Sequence, residues 1–92
     1  MVRKFENESR WAAISPMARL ESRKRARLYN LTPREMAVLS EMTKGWSDTQ
    51  IAESLGITKF TVNKHIGSIL IKTNSRSRTG AAVRAIREHL VD

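Results

Sequence analysis

The sequence contains no cysteine, which excludes disulfide bonds and cysteine-ligated zinc sites. Its two histidines are too few for a metal site without help from carboxylates, so we expect neither a metal nor another cofactor. No apolar run reaches the roughly 20 residues that span a bilayer, and the first residues lack the apolar stretch of a signal peptide. We therefore expect a cytoplasmic protein with no membrane contact.

The patterns that usually carry catalysis are also missing. The sequence has no glycine-rich phosphate loop, no paired carboxylates and no serine, histidine and aspartate that helical spacing would bring together. The chain is therefore predicted not to be an enzyme, and no site for a small-molecule ligand is evident.

Acidic residues are scarce, with 9 against 17 basic residues and a net charge of +8. Residues 1–30 hold eight basic and three acidic residues, a balance of +5, while residues 31–92 hold nine and six, a balance of +3. No acidic residue occurs between Glu53 and Glu88. Because neutralising phosphates releases condensed counterions, this surplus favours a polyanionic partner.

Helical spacing of apolar residues, without strand-like alternation, predicts an all-α fold. Thr32 and Glu35 form a capping-box pattern, with Pro33 in the first turn, and Gly45 marks the end of this first helix. Its predicted buried side chains are Val38, Leu39 and Met42. Residues 1–30 are less regular, and the sequence fits a helix and a solvated basic arm equally well. We thus predict a basic N-terminal extension (1–30), with Met17, Leu20 and Leu28 weakly facing the core, and a four-helix domain (31–92).

Two further helices lie close together in the sequence. Ser47 and Gln50 repeat the capping-box pattern, and Gly56 is predicted to take the left-handed conformation that ends the second helix. Its predicted buried side chains are Ile51, Ala52 and Leu55. Thr58 is the expected cap of a third helix over 59–73, which would bury Val62, Ile66, Ile69 and Leu70. Two helices joined by a short turn with glycine indicate a helix-turn-helix between Ser47 and Thr73.

The fourth helix is predicted over 78–90, and its apolar residues are Ala82, Val83, Ile86 and Leu90. We expect these four side chains to be buried.

The outward face of the third helix carries no acidic residue, which favours a surface that faces phosphates. Lysine and asparagine donate to guanine and adenine edges respectively, so the predicted base-reading residues are Asn63, Lys64, Phe60 and Gly67. For Phe60, a thymine-methyl contact, packing against a neighbouring helix and no role at all stay open. The predicted phosphate-binding residues are Ser47, Thr58, Lys59, Thr61, Ser68, Lys72, Arg76 and Arg78.

The combination of residues resembles the DNA-binding domain of the LuxR family of bacterial transcription regulators. The matching residues are Leu31-Thr32, Arg34-Glu35, Val38-Leu39, Gly45, Ser47, Ile51-Ala52, Leu55-Gly56-Ile57, Thr61-Val62, His65, Ile69, Lys72, Arg76, Arg78 and Ala82-Val83. The resemblance implies a sequence-specific regulator with the third helix in the major groove of double-stranded DNA. It also implies a homodimer on an inverted repeat, paired through the fourth helix. Thirty residues are too few for a regulatory domain, so the chain resembles stand-alone members unless it is an excised piece.

Some positions depart from the family pattern. Asn63 stands where the family favours lysine, Gly67 lacks a side chain, and Thr73 replaces a usual leucine. For the dimer contact we predict Ala81, Ala85 and His89.

Two functions other than sequence-specific regulation stay open. One alternative is a promoter-recognition module similar to region 4 of sigma factors, with RNA polymerase as partner. The other is an interaction module that uses the same fold without binding DNA.

Overall fold

The computed structural model describes residue 20 and residues 24–91, and these residues form helices and turns without a strand. A short helical segment, residues 24–28, precedes four helices. These are α1 (Pro33–Thr43), α2 (Asp48–Leu55), α3 (Lys59–Lys72) and α4 (Arg78–Arg87). Within the described part of the chain, no helix combines the length and the apolar character needed to cross a membrane.

The predicted helix starts are confirmed by their caps. At α1, the Thr32 hydroxyl accepts a hydrogen bond from the Glu35 backbone N–H (3.1 Å), and the Glu35 carboxylate accepts one from the Thr32 backbone N–H (2.9 Å). Ser47 and Gln50 form the same reciprocal pair at α2. Each capping box satisfies two backbone donors that the helix itself leaves unpaired. The local sequence therefore determines where these helices begin.

The core forms where α1 packs against α3 and α4, while α2 packs mainly on α3. Its fully buried large side chains include Leu39, Ile51 and Ile69, as predicted. Leu55 and Leu70 lie at its edge and are only half-buried. Thr73 occupies a core position with 1% of its surface exposed, and its hydroxyl donates to the Ile69 carbonyl oxygen (2.8 Å). That bond allows a polar residue where the family usually has leucine.

The predicted core face of α4 is wrong. Ala81 and Ala85 are fully buried, whereas Val83 and Ile86 are 40% and 57% exposed and Ala82 is half-buried. The small alanine side chains let α4 pack closely against α1, which turns the larger side chains outward.

The predicted end of α4 was too late in the sequence. The helix ends at Arg87, and His89 then adopts a left-handed backbone conformation (φ 55°). The Leu90 backbone N–H donates to the Ala85 carbonyl oxygen (2.9 Å), a bond that closes the helix end. Leu90 therefore returns to the core, as predicted, but from a turn rather than from a helix.

The N-terminal extension contacts the core through a different residue than expected. Ala26 is fully buried, while Leu20 and Leu28 are 47% and 84% exposed, so their predicted core contact is wrong. The Leu31 backbone N–H donates to the Ala26 carbonyl oxygen (3.2 Å) and joins the helical segment to the domain. Met17 lies outside the described residues.

Candidate nucleic-acid interface

The helix-turn-helix is formed by α2, the three residues 56–58 and α3. Gly56 has φ 68° and ψ 35°, the left-handed conformation that a residue without Cβ adopts at little cost. The Ile57 backbone N–H donates to the Ala52 carbonyl oxygen (3.0 Å), and the half-buried Ile57 side chain packs against the core. This corner fixes the position of α3 against α2 and leaves the outer side of α3 uncovered.

Four residues form the outer stripe of α3, and we call them the α3 stripe: Phe60, Lys64, Gly67 and Ile71. Phe60 is 72% and Ile71 83% exposed. The Lys64 Nζ lies 5.7 Å from the centre of the Phe60 ring, within the range of a cation–π interaction. At Gly67 a built Cβ would meet no atom within 4 Å. The stripe therefore combines one cation, two apolar side chains and an open position.

The N-terminus of α3 is exposed and lacks an acidic side chain in its first turn. The Thr58 hydroxyl accepts from the Thr61 backbone N–H (3.1 Å) and donates to the Thr61 hydroxyl (3.0 Å). Lys59 and Asn63 are exposed beside this cap. Unpaired N–H groups and the helix dipole make such an end favourable for an anion. Of the predicted phosphate-binding residues, Thr58, Lys59 and Thr61 lie together at this end of the α3 stripe.

Two other predicted phosphate-binding residues are held by Glu35 instead. The Glu35 carboxylate accepts hydrogen bonds from the Ser68 hydroxyl (2.6 Å) and from the Lys72 ammonium (2.7 Å), and Lys72 also donates to the Asn30 carbonyl oxygen (2.9 Å). Burial raises the pKa of Glu35, but the bonds from Lys72, Ser68 and the Thr32 backbone outweigh it and lower that pKa to about 2. The structure thus gives Ser68 and Lys72 a role in joining α3 to α1.

A third predicted phosphate-binding residue, Arg78, is also bonded within the chain. Its guanidinium forms an ion pair with Asp48 and donates to the Trp46 carbonyl oxygen (2.8 Å). These bonds tie the start of α4 to the start of α2 and neutralise Asp48, the acidic residue next to the Ser47 cap. Arg76 and Ser47 are exposed. No pattern in the sequence distinguishes Arg78 from Arg76, because the partners of Arg78 lie 30 and 32 residues away.

The predicted dimer contact through Ala81 and Ala85 is corrected by the structure. Both side chains are fully buried inside the single chain and have no surface to offer a second copy. His89 is exposed, as is the apolar pair Val83 and Ile86. The exposure of this pair could not be predicted from the sequence, because the apolar spacing fits both faces of α4 and only packing on α1 selects the buried one.

A further cluster joins the residues before α1 to the end of α4. The Tyr29 hydroxyl donates to the Glu88 carboxylate, which also forms an ion pair with Arg84 (2.8 Å). The hydrogen bond from Tyr29 lowers the pKa of Glu88, and the same bond raises the pKa of Tyr29. These contacts fasten the residues before α1 to the end of α4.

Comparison with known proteins gives relatives for most of the chain. Residues 29–85 match the sequence pattern of the bacterial regulatory proteins, luxR family. The response regulator protein VraR of Staphylococcus saprophyticus is 38% identical over 89 residues, which cover 95% of this chain and 43% of that protein. VraR proteins of Staphylococcus aureus and Staphylococcus epidermidis are each 41% identical over 70 residues, covering 75% of this chain and 34% of those proteins. The chain therefore spans less than half the length of these relatives.

Proposed function

This chain belongs to the luxR family of bacterial regulatory proteins, and we propose that it regulates transcription by binding double-stranded DNA with sequence preference, with α3 in the major groove. The observation that carries the proposal is the α3 stripe together with Asn63. It is exposed, it bears hydrogen-bond donors, and it lies in a stretch free of acidic residues from residue 54 to residue 87. The expected site of action is the nucleoid in the cytoplasm, and the proposed role is binding rather than catalysis.

The proposed contacts are assigned to side chains that no hydrogen bond or ion pair ties to another helix. Asn63 and Lys64 are exposed and carry the donors for adenine and guanine edges. Lys59 is an exposed cation beside them, Arg76 is an exposed cation in the connection between α3 and α4, and the Thr58 cap presents the α3 N-terminus. We assign phosphate contacts to these three residues. Ser68, Lys72 and Arg78 are assigned to the fold instead.

Selection of bound duplexes from a random DNA pool tests the sequence preference. We expect an enriched sequence, and we expect N63A and K64A to change which bases are preferred, each with a loss of about 1–3 kcal/mol per base contact. R76A should weaken all sequences similarly. A pool without enrichment would contradict the proposal, and binding that requires added RNA polymerase core would favour the sigma-like alternative.

We further propose that two copies bind an inverted repeat, with contact through the exposed Val83 and Ile86 of α4. Two apolar side chains form a small patch, so dimers are expected mainly on DNA, where half-sites about one helical turn apart place the copies side by side. I86E should leave the fold intact and abolish the second binding step on a two-half-site duplex. Sedimentation that shows one copy of the unaltered protein per two-half-site duplex would contradict the dimer.

A further inference from the structure

Phe60 is a large apolar side chain that the fold leaves uncovered. It is 72% exposed, and it lies in the first turn of α3, beside the cap that the proposed function directs toward DNA. Packing against a neighbouring helix, one of the roles that the sequence allowed, therefore does not occur among the residues that the structure describes. Lys64 lies one helical turn further along the α3 stripe, and its side chain contacts the Phe60 ring.

The contact between the two side chains gives the lysine a defined direction. The Lys64 Nζ lies 5.7 Å from the centre of the Phe60 ring. Attraction between the cation and the ring face favours the Lys64 rotamers that keep the ammonium above the ring. The flexible four-carbon side chain therefore samples fewer positions. The ammonium and the apolar ring thus approach a bound surface as one unit.

This unit matches two adjacent features of the major groove. Thymine alone among the DNA bases presents a methyl group there, and a phenylalanine ring can contact it, while guanine presents the O6 and N7 acceptors that a lysine binds. Successive base pairs are about 3.4 Å apart, so groups separated by 5.7 Å reach the same or neighbouring base pairs. Gly67, the next stripe position, has no side chain that would hold the helix away from the base edges.

From this geometry we infer that Phe60 is a specificity-determining residue: Phe60 and Lys64 together read a thymine methyl next to a guanine. The inference rests on the proposed function, since it requires α3 to lie in the major groove. It goes further in assigning one dinucleotide feature to one pair of side chains.

Base analogues in the selected duplex test the inference with the full chain. Replacing each thymine in turn by uracil removes only the methyl group, and at one position we expect a three- to fivefold loss of affinity, the value of one buried methyl. F60A should lose affinity for the thymine duplex and become insensitive to that replacement. At the neighbouring guanine, 7-deazaguanine should weaken binding by the unaltered protein and have little effect on K64A.

The variant F60L separates the two functions of the ring. Leucine keeps an apolar contact for the methyl but has no π face for Lys64. We expect F60L to retain most of the uracil effect and to lose part of the 7-deazaguanine effect. L28A removes an exposed apolar side chain of the N-terminal helical segment and should behave as the unaltered protein in both tests.

Two failures are distinguishable. If selection enriches a sequence but no thymine-to-uracil replacement depends on residue 60, the inference is wrong while the proposed function stands. If selection enriches nothing, both are wrong. A change in self-association on F60A, with base preference unaltered, would also overturn the inference, because it would place Phe60 in a protein contact.

Discussion

Glu35 shows how one side chain can serve both a helix start and the tertiary structure. Its carboxylate closes the capping box of α1 and also binds Ser68 and Lys72 of α3. Burial of a carboxylate is unfavourable unless such bonds satisfy it, and here all of them are present. Ser68 and Lys72, which the sequence predicts to contact DNA, therefore hold α3 against α1.

The lowered pKa of Glu35 predicts acid sensitivity. Because that pKa falls from 4.5 in the unfolded chain to about 2 in the folded protein, the ionised group stabilises the fold above pH 4.5. This stabilisation, about 3 kcal/mol, is lost as the pH falls from 4.5 to 2. Urea unfolding across this range should show the loss in the unaltered protein.

The variant E35Q identifies the group responsible. It should lower the free energy of unfolding at pH 7 by about 3 kcal/mol, because it leaves the Lys72 ammonium without its anion. It should also flatten the decline below pH 4.5. E53Q, at an exposed carboxylate of α2, is the control and should keep the decline. An equally steep decline in E35Q would contradict the role of Glu35.

Replacing glycine by alanine should have opposite effects on stability at Gly56 and at Gly67. Gly56 has φ 68° with open space around it, so G56A adds backbone strain without a clash and should cost about 1–2 kcal/mol. Gly67 lies inside α3 with equally open space, so G67A should raise stability by up to about 1 kcal/mol. Thermal unfolding of the two variants checks the pair. A G56A variant at least as stable as the unaltered protein would mean that Gly56 does not need the left-handed conformation, and a loss of stability in G67A would contradict the second prediction.

At the scale of the elements, the position of α4 is the main departure from expectation. Its apolar residues lie on two opposite helix faces, one with Ala81 and Ala85 and one with Val83 and Ile86. The structure buries the alanines against α1, and the ion pair of Arg78 with Asp48 holds the start of α4 near α2. The surface available to a second copy therefore carries larger side chains than expected.

Substitutions on the two faces of α4 should differ strongly. A85L inserts three carbons into a fully buried position and should lower the free energy of unfolding by about 1–3 kcal/mol. I86A removes an exposed side chain and should change stability by less than about 0.5 kcal/mol. Chemical denaturation of the monomeric chain without DNA measures both. Comparable losses would indicate that the buried face of α4 is assigned incorrectly.

At the scale of the whole molecule, charge should control affinity. The chain carries a net charge of +8, and the +5 balance of residues 1–30 lies outside the helix-turn-helix. We propose that this extension adds phosphate contacts to those of α3. Since Ala26 is buried in the core, deleting the extension would disturb the fold, and substitution of exposed cations is the better test.

The salt dependence of DNA binding counts the phosphate contacts. K59A and R76A should each reduce the slope of log affinity against log salt concentration by about 0.9, because each removes one neutralised phosphate. The double variant K24A/R27A should reduce it by about twice that amount if the extension binds phosphate. R87A, at an exposed cation at the end of α4, is the control. An unchanged slope in K24A/R27A would contradict the contribution of the extension.

The sequence by itself determined the all-α fold, the starts of the helices and the helix-turn-helix. These features depend on contacts over a few residues, such as the three-residue spacing of Ser47 and Gln50 or the conformation of Gly56. Such contacts leave a direct pattern in the sequence, because capping and helical spacing act between near neighbours. The acid-free face of α3 was predictable for the same reason.

Only the tertiary structure decided which polar side chains remain available on that face. Ser68 and Lys72 meet Glu35 across 33 and 37 residues, and Arg78 meets Asp48 across 30. The neighbouring sequence does not distinguish Lys72 and Arg78 from the exposed Lys59 and Arg76, since each of these four cations could stay solvated until the helices pack. The burial of Ala81 and Ala85 was decided in the same way, because the choice between two similar helix faces depends on which one fits closely against α1.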